Sequence, residues 1–232
     1  MKTRLLLLLF LALVTIADAA DKSVKPGINK NFLDPNLKVG AWVERFEREG
    51  REVFDHRRAI VEKAGIKRGS VVADIGAGTG LFVPLLSEAV GKKGKVIAVD
   101  IVPKFLAHIR GETKAAGVKN ITTQLCTGRS TKLQAGSIDL AFICDTYHHF
   151  EYPSHTLASL HRALRPGGEI YLIDFKRIEG ESSDWILNHV RAGEEVFASE
   201  VEAAGFERIG RVKLLRDNYI LRFRKQAREG KR

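Results

Sequence analysis

A glycine loop that follows an aspartate is the part of this sequence best suited to binding chemistry. The apolar run Val71–Ile75 contains Asp74 and leads into Gly76, Gly78 and Gly80, three glycines on alternating positions. The run is short and β-branched, which predicts a buried parallel strand rather than a helix. Glycines allow a sharp turn and a close backbone approach where a Cβ would collide with a ligand. The following residues predict a helix whose first N–H groups face the same spot, so the stretch indicates a strand, a loop and a helix around a small molecule.

A second aspartate ends the next predicted strand. Asp100 follows Val96–Val99, and an acid about 20 residues beyond such a loop can accept hydrogen bonds from both hydroxyls of a ribose. Each hydrogen bond to a charged group contributes about 1.5–3 kcal/mol. An ordinary tight turn is the alternative interpretation of the glycines, but it does not account for an aspartate at both strand ends. Asp74 and Asp100 together favour a nucleoside site.

The spacing of the glycines separates two kinds of nucleotide-binding loop. A dinucleotide-binding loop has the pattern G-x-G-x-x-G, whereas here Gly80 comes one residue early and Leu81 takes the expected place. G-x-G-x-G behind an acid resembles motif I of the class I, Rossmann-like, S-adenosylmethionine-dependent methyltransferases. The resemblance covers residues 40–224 and includes the segments DIGAGTG, VIAVD, SIDLAF, YHHF and LRPGG. It is greatest to the branch that methylates small molecules, including quinone rings and other metabolites.

The order of the predicted elements indicates an α/β fold. Strands alternate with helices, which argues for a parallel sheet covered by helices. Strands are predicted at 71–75, 95–99, 121–125, 138–144, 169–175, 206–215 and 219–223. Helices are predicted at 81–89, 103–115, 152–164 and 184–204. The resemblance implies a single doubly wound, seven-stranded, mostly parallel sheet of order 3-2-1-4-5-7-6, with a terminal antiparallel hairpin and N-terminal cap helices.

The resemblance also assigns residues to S-adenosylmethionine. Asp74 would contact the methionine end, Asp100 would hold the ribose, and Ile101 would pack on the adenine. Thr127 stands where the family often has an acid that grips the adenine amino group, and its hydroxyl accepts a weaker hydrogen bond. Asp145, after the fourth strand, would hold the amino group of the cofactor. The other predicted cofactor-binding residues belong to the glycine loop and to the turn after the third strand: Gly76, Ala77, Gly78, Thr79, Gly80 and Gly128.

The acceptor is expected beside the end of the fourth strand. A sulfonium methyl group is already electrophilic, so its transfer needs mainly an in-line approach, and a base only where the acceptor must lose a proton. Tyr147, His148 and His149 lie where the acceptor would arrive, and a histidine there can act as a base near neutral pH. We expect only one of the two histidines to face the cleft, and a structural role for either is the alternative.

Segments on both sides of the sheet are further candidates for the site. The charged helices predicted between residues 41 and 64 resemble a lid whose arginines pair with the methionine carboxylate; a solvated face with internal ion pairs is the alternative. Beyond the fifth strand, several side chains are candidates for the far wall of an acceptor pocket: Tyr171, Asp174, Lys176, Arg177, Trp185 and His189.

The resemblance narrows the substrate class and leaves two rival functions. The chain lacks the Asn/Asp-Pro-Pro-Tyr/Phe loop of amino-group methyltransferases, which favours a small molecule or a lipid headgroup over nucleic acid or peptide amides. A protein that binds S-adenosylmethionine without turnover is one rival, supported by Thr127. A nicotinamide-dependent reductase is the other, and Leu81 and the terminal hairpin disfavour it.

The first residues have the pattern of a cleaved signal peptide. Lys2 and Arg4 precede the apolar stretch 5–14, and Ala17-Asp18-Ala19 provides small residues for cleavage. A buried N-terminal helix is the alternative. We therefore expect an exported, periplasmic protein with a signal peptide at 1–19. The rest of the chain is predicted to divide into an extended leader and cap helices at 20–64, a methyltransferase domain at 65–225 and a basic tail at 226–232.

The composition limits the partners. The 232 residues are 44% hydrophobic, enough for one sizeable core, and carry a formal net charge of +10. The basic tail predicts either a solvated end or peripheral contact with an anionic membrane surface. No nucleic-acid-binding motif accompanies the charge, so nucleic acid is not an expected partner.

No metal site and no disulfide are expected. The spacing of the cysteines and histidines matches no zinc-ligand pattern. In the strand order that the resemblance implies, two strands separate Cys126 from Cys144. Three strand spacings come to about 14 Å, whereas bridged Cα atoms lie within about 7 Å. We therefore expect two free thiols.

Overall fold

The alternating segments form one seven-stranded sheet in the computed structural model, which describes residues 22–227. The strands are β1 (Val71–Ile75), β2 (Lys95–Asp100), β3 (Ile121–Leu125), β4 (Ile138–Cys144), β5 (Leu164–Phe175), β6 (Phe206–Arg211) and β7 (Asn218–Lys225). Their order is β3-β2-β1-β4-β5-β7-β6. The first five strands run parallel, and β7 is antiparallel to β5 and β6. The predicted order and terminal hairpin are therefore confirmed.

Helices cover both faces of the sheet and precede it in the chain. They are α1 (Val39–Phe46), α2 (Glu52–Asp55), α3 (Arg57–Lys63), α4 (Val83–Val90), α5 (Pro103–Ala115), α6 (Pro153–Ala163), α7 (Asp184–His189), α8 (Glu194–Ala203) and a 3-10 turn, Tyr147–His149. Proline opens α5 and α6, where its missing N–H costs nothing and its fixed φ suits the first turn.

The core lies on both faces of β1. Val72 packs with Val96 and Phe142 in one apolar cluster, while Ala73 and Ile75 belong to the cluster on the opposite face. Successive side chains of a strand point to opposite faces, so a strand covered on both sides needs an unbroken apolar run. This is why the stretch before the glycine loop lacks the alternation of an exposed strand.

The helical region predicted at 184–204 is divided into two helices. Val190 and Gly193 adopt extended backbone conformations between α7 and α8. Glycine has a low helix propensity, which explains a break at Gly193. α7 therefore ends at His189, and α8 begins at Glu194.

Two strand boundaries also differ from the prediction. β5 begins at Leu164, so that residues 166–168 lie inside the strand. The register between β4 and β5 shifts between Ile138 and Leu140, which accommodates these residues. β6 ends at Arg211, four residues before the predicted end at residue 215.

Several expectations concern the ends of the chain and its thiols. The predicted signal peptide, residues 1–19, lies outside the described residues, as do residues 228–232 of the predicted tail. Every helix between residues 22 and 227 is too short or too polar to traverse a lipid bilayer. Cys126 and Cys144 are both free, as expected.

Candidate functional site

A cavity of about 640 Å³ lies at the carboxyl ends of the parallel strands. Its walls come from the loops after β1, β2, β3 and β4, from α1 and the segment before it, and from α7. Ligands of open α/β sheets bind at this edge, where the strand order reverses. The volume is in the range of small-molecule sites.

The glycine loop after β1 leaves bare backbone toward this cavity. Gly76 has a φ of +71°, and a Cβ on it would lie 2.2 Å from Cγ2 of Thr146. Gly78 also has a positive φ, +55°. Only glycine adopts this region at no steric cost, so the turn that the sequence predicts requires these residues.

Asp100 holds the glycine loop in place. The amide of Gly78 donates a 2.8 Å hydrogen bond to Oδ2 of Asp100. The amide of Val102 donates a bond of the same length to Oδ1. Each carboxylate oxygen keeps a second lone pair, so Asp100 can still accept hydrogen bonds from ligand hydroxyls.

Two buried carboxyl groups give the cavity an affinity for positive charge and for hydrogen-bond donors. Burial, with a smaller contribution from repulsion by Asp100, raises the pKa of Asp74 to about 7. Burial raises the pKa of Asp100 to about 6, although the backbone hydrogen bonds from Gly78 and Val102 oppose the shift. A cationic or donor-rich ligand that stabilises the ionised carboxylates would lower both pKa values.

Asp145 turns the chain after β4 and anchors the N-terminal segment. Its φ is +48°, in the left-handed region that aspartate tolerates better than most residues. Arg51 donates to its Oδ2 at 2.7 Å and Asn218 donates to its Oδ1 at 2.6 Å. Burial raises the pKa of Asp145, and the guanidinium of Arg51 opposes this.

The N-terminal helices cover one side of the cavity. Thr79 donates a 2.8 Å hydrogen bond to Oε1 of Glu47, which attaches the segment after α1 to the glycine loop. Trp42 and Phe46 of α1 line the cavity together with Phe32. Arg51 belongs to the same region and lines the cavity beside β4. It forms an ion pair with Asp145.

Most of the predicted cofactor-binding residues line the cavity. These are Asp74, Gly76, Ala77, Gly78, Thr79, Asp100, Ile101, Thr127, Gly128 and Asp145. Gly80 does not: a Cβ there would lie 2.9 Å from Cγ1 of Ile109, so its role is to let the loop pack on α5. Of the candidates for the far wall, Trp185 and His189 line the cavity, whereas Tyr171, Lys176 and Arg177 do not.

The structure places the side chain of Tyr147, one of the predicted catalytic residues, outside the cavity. Tyr147 is fully buried, packs against Phe150 and Phe197, and donates a 2.8 Å hydrogen bond to Glu200. Burial and the Glu200 carboxylate raise the pKa of its phenol. The side chain points into the core and does not reach the cavity.

Both histidines of the turn after β4 line the cavity, contrary to the expectation of one. The 3-10 turn places the rings of His148 and His149 beside each other, with centroids 4.3 Å apart. His148 is buried, and its Nδ1 lies 2.8 Å from Oδ1 of Asp174. Nε2 of His149 lies 3.3 Å from Nε2 of His189. In the sequence, the positions of these three histidines give no sign that they converge. The absence of a zinc-ligand spacing in the sequence is therefore no reason to expect the absence of a metal site.

Burial shifts the pKa values of His149 and of the two cysteines, and these shifts determine their protonation at neutral pH. Burial, with repulsion from His148 and His189, lowers the pKa of His149 to about 2. Burial raises the pKa of Cys126 to about 12 and that of Cys144 well above its usual value. At neutral pH, His149 is uncharged and both thiols are protonated.

The sequence reasoning missed the contribution of the segment before α1. Asn29 donates a 3.0 Å hydrogen bond to the carbonyl of His149. The ring of Phe32 lies 5.2 Å from that of His149. This segment has no hydrophobic periodicity, so no local pattern indicates that it lies over the site.

Comparisons with known proteins agree with this geometry. Residues 73–172 match the family model of a methyltransferase domain. The chain is 29% identical over 134 residues to the ubiquinone/menaquinone biosynthesis C-methyltransferase UbiE of Marinomonas sp. (strain MWYL1), covering 54% of this chain and 50% of that protein. It is 25% identical over 123 residues to UbiE of Hydrogenovibrio crunogenus, covering 53% of this chain and 48% of that one. The chain therefore spans about half the length of the curated relatives it matches.

Solved structures share most of this fold. A SAM dependent methyltransferase from Aquifex aeolicus superposes with a TM-score of 0.72 at 24% identity, covering 82% of this chain and 99% of that one. The [4+2]-cyclase SpnF superposes with a TM-score of 0.66 at 15% identity, covering 78% and 85%. At these identities the likeness shows the fold. Residues 73–172 are therefore similar to a methyltransferase domain, the fold around them is shared with a SAM dependent methyltransferase, and S-adenosylmethionine is the cofactor that this similarity implies.

Proposed function

We propose that this protein transfers a methyl group from S-adenosylmethionine to a small organic molecule or a lipid headgroup by direct displacement. The observation that carries the proposal is the hydrogen bond that ties Gly78 to Asp100 above the buried carboxyl of Asp74. The same cavity continues to His148 and His149, where an acceptor would lie.

The residues present fit the cofactor. Gly76 and Gly78 of the glycine loop line the cavity without a side chain, and both have a positive φ. Asp74 would hold the cationic methionine end, and Asp100 would accept hydrogen bonds from the ribose. When bound, S-adenosylmethionine supplies an electrophilic methyl group on a sulfonium sulfur.

The protein's own contribution is to position the acceptor and to exclude water. Holding two reactants in the reacting geometry contributes about 7–11 kcal/mol. Aromatic side chains suited to a flat, apolar acceptor line the cavity: Phe32, Phe175 and Trp185. The quinone-related names of the UbiE relatives support an acceptor of this kind.

His148 is the best-placed base for an acceptor that must lose a proton. Its Nδ1 faces Asp174, which leaves Nε2 as the nitrogen that can receive a proton. The low pKa of His149 makes it a weak base. Tyr147 is fully buried and does not line the cavity, so we do not assign it a role in the transfer.

Two measurements test the proposal. Calorimetry of the full chain with S-adenosylhomocysteine and, in parallel, with NAD(H) establishes the ligand: we expect binding of the first and not the second. Incubation with S-adenosylmethionine and a cell-envelope extract, followed by mass spectrometry, should reveal a molecule that has gained one methyl group. At a limiting concentration of S-adenosylmethionine, Asp100→Asn should reduce this gain, and Glu88→Gln, at an exposed surface position, should preserve it. Binding of NAD(H) alone would overturn the proposal.

A second function is binding of S-adenosylmethionine without turnover. Thr127, in place of an acid near the predicted adenine position, is the observation that favours it. Tight binding of S-adenosylhomocysteine without any methyl gain in extracts or with quinol and phenol acceptors would select this second function.

We further propose that the protein is exported to the periplasm, with peripheral attraction to anionic membranes through its basic tail. The support is the signal-peptide pattern at residues 1–19 and the charge of the last residues. Cell fractionation and sequencing of the mature N-terminus test export, with a start near Ala20 expected. Sedimentation with anionic and with neutral vesicles tests the tail.

A further inference from the structure

Three imidazoles converge at the acceptor end of the cavity. His148 and His149 come from the turn after β4, and His189 is the last residue of α7. One ring nitrogen of each lies within 4.8 Å of the others. The described part of the chain thus brings together side chains that lie 40 residues apart in sequence.

The spacing of two of these nitrogens suits metal coordination. Nε2 of His149 and Nε2 of His189 are 3.3 Å apart. Tetrahedral zinc, with bonds of about 2.0–2.1 Å to histidine nitrogen, places two ligand nitrogens about 3.3–3.4 Å apart. A hydrogen bond between the two rings also fits this distance, so the third histidine is what distinguishes a metal site from a pair of hydrogen-bonded rings.

His148 has the environment of a metal-ligating histidine. Its Nδ1 lies 2.8 Å from Oδ1 of Asp174, and Asp174 is fully buried. The amides of His148 and Phe175 donate to the same carboxylate and fix its orientation. A carboxylate behind a histidine sets the tautomer, so that the opposite nitrogen presents its lone pair to a metal ion.

Charged groups of both signs surround the three rings. Asp174 is fully buried, and its Oδ1 lies 2.8 Å from Nδ1 of His148. The positive groups near His189 are Lys25 and Arg45. The Nζ of Lys25 donates a hydrogen bond to the carbonyl of His189.

We propose that His148, His149 and His189 bind a divalent transition-metal ion of the zinc type, with its remaining coordination position open to the cavity. Three protein ligands and one open position are characteristic of sites that bind a substrate. The open position would bind the hydroxyl oxygen or the thiol sulfur of the methyl acceptor. This assignment of the acceptor rests on the proposed function. In the ion-bound protein His148 is a ligand instead of a base, and the ion itself makes the bound hydroxyl or thiol group more acidic.

The test uses the full chain without a histidine tag, stripped with a chelator and titrated with Co²⁺. We expect one ion per chain and the visible absorption of four-coordinate cobalt, displaced by Zn²⁺. His189→Ala should weaken Co²⁺ affinity by at least about 100-fold, and Asp174→Asn by about 10–100-fold. His108→Ala, on α5 and outside the cavity, is the matched control and should bind Co²⁺ like the original protein.

Thermal unfolding distinguishes a variant that has lost a metal-coordinating side chain from a variant that has failed to fold. Zn²⁺ should raise the Tm of the original protein and of His108→Ala but not that of His189→Ala, since an ion that binds only the folded state stabilises it. Absence of cobalt absorption, or equal affinity in His189→Ala and the original protein, would overturn the inference. Binding of S-adenosylhomocysteine is measured in the same samples. Loss of that binding with intact cobalt absorption would count against the proposed function and not against the metal site.

Discussion

The amide of Gly78 donates a 2.8 Å hydrogen bond to Oδ2 of Asp100, so the glycine loop after β1 and the end of β2 form one unit. The two residues are 22 positions apart, and each fixes the other. The carboxylate therefore has two tasks: it orders the loop, and it remains available to ligand hydroxyls.

Replacing this carboxylate should weaken cofactor binding. We expect Asp100→Asn to reduce the affinity for S-adenosylhomocysteine by about tenfold or more, because charge-assisted hydrogen bonds contribute about 1.5–3 kcal/mol each. Calorimetry measures the change, with Glu88→Gln as the surface control. Unchanged affinity in Asp100→Asn would refute the ribose assignment.

Two glycine substitutions should act in opposite directions. Gly76→Ala places a Cβ 2.2 Å from Thr146 at a φ of +71°, and backbone strain with overpacking should lower the free energy of unfolding by about 2 kcal/mol or more. Gly111→Ala lies inside α5 with no atom within 4 Å of the added Cβ. It should raise the free energy of unfolding by about 0.5–1 kcal/mol. Denaturant titration compares them, and similar effects from both would contradict the geometry of the loop.

Cofactor affinity should rise with pH. In the free protein the pKa values are about 7 for Asp74 and about 6 for Asp100. A cation and hydroxyl donors bind the ionised carboxylates, so binding lowers both pKa values and releases protons. The affinity for S-adenosylhomocysteine is therefore fully present above the free-protein pKa values and is lost as the pH falls through them, between about pH 8 and about pH 5.

Calorimetry in buffers of different ionisation enthalpy counts the protons released. Asp74→Asn should flatten the upper part of the pH profile, since it removes the group that titrates near pH 7. An affinity that rises as the pH falls would contradict the assignment of the two aspartates.

Tyr147 should matter for stability and not for turnover. Tyr147→Phe removes a buried hydrogen bond to Glu200, while Arg191 continues to pair with that carboxylate. We expect the free energy of unfolding to fall by about 1 kcal/mol and kcat for methyl transfer to stay within twofold, since a typical hydrogen bond contributes about 0.5–1.5 kcal/mol. A large fall in kcat at unchanged stability would restore a catalytic role for this phenol.

The two tryptophans should report on different parts of the cavity. Trp42 packs with Phe105, Val102 and Ile101 near the predicted adenine position. Trp185 stacks on His189, with ring centroids 4.6 Å apart. S-adenosylhomocysteine should change the fluorescence of Trp42, so Trp42→Phe should lose most of the signal and Trp185→Phe should keep it. The reverse result would place the nucleoside at the histidine end.

Local patterns explain why the cofactor side could be predicted. Asp74 and Asp100 each end a buried strand, and parallel strands bring their carboxyl ends to one edge, so the sequence order alone places them together. The strand order itself came from a family resemblance, and the topology confirms it. Gly80 packs near Ile109 instead of lining the cavity, and the sequence of the loop does not identify this neighbour.

The arrangement of the predicted acceptor site could not be read from the sequence. It depends on contacts between distant segments and on the directions in which one short turn points its side chains. The direction of Tyr147, His148 and His149 follows from the 3-10 geometry after Asp145, whose positive φ no sequence pattern indicated. His189 reaches the site because α7 ends early, before the predicted helix does. These features depend on tertiary structure, so they cannot be predicted from the composition of the chain or from the spacing of its residues.

The walls around Asn29, Phe32 and Trp42 come before the span that matches the methyltransferase family, and those around Trp185 and His189 come after it. The matched span, residues 73–172, contains the glycine loop and its two aspartates, whereas these aromatic walls lie outside it. Substitutions confined to these flanking segments would therefore reshape one end of the cavity and leave the residues of the glycine loop as they are.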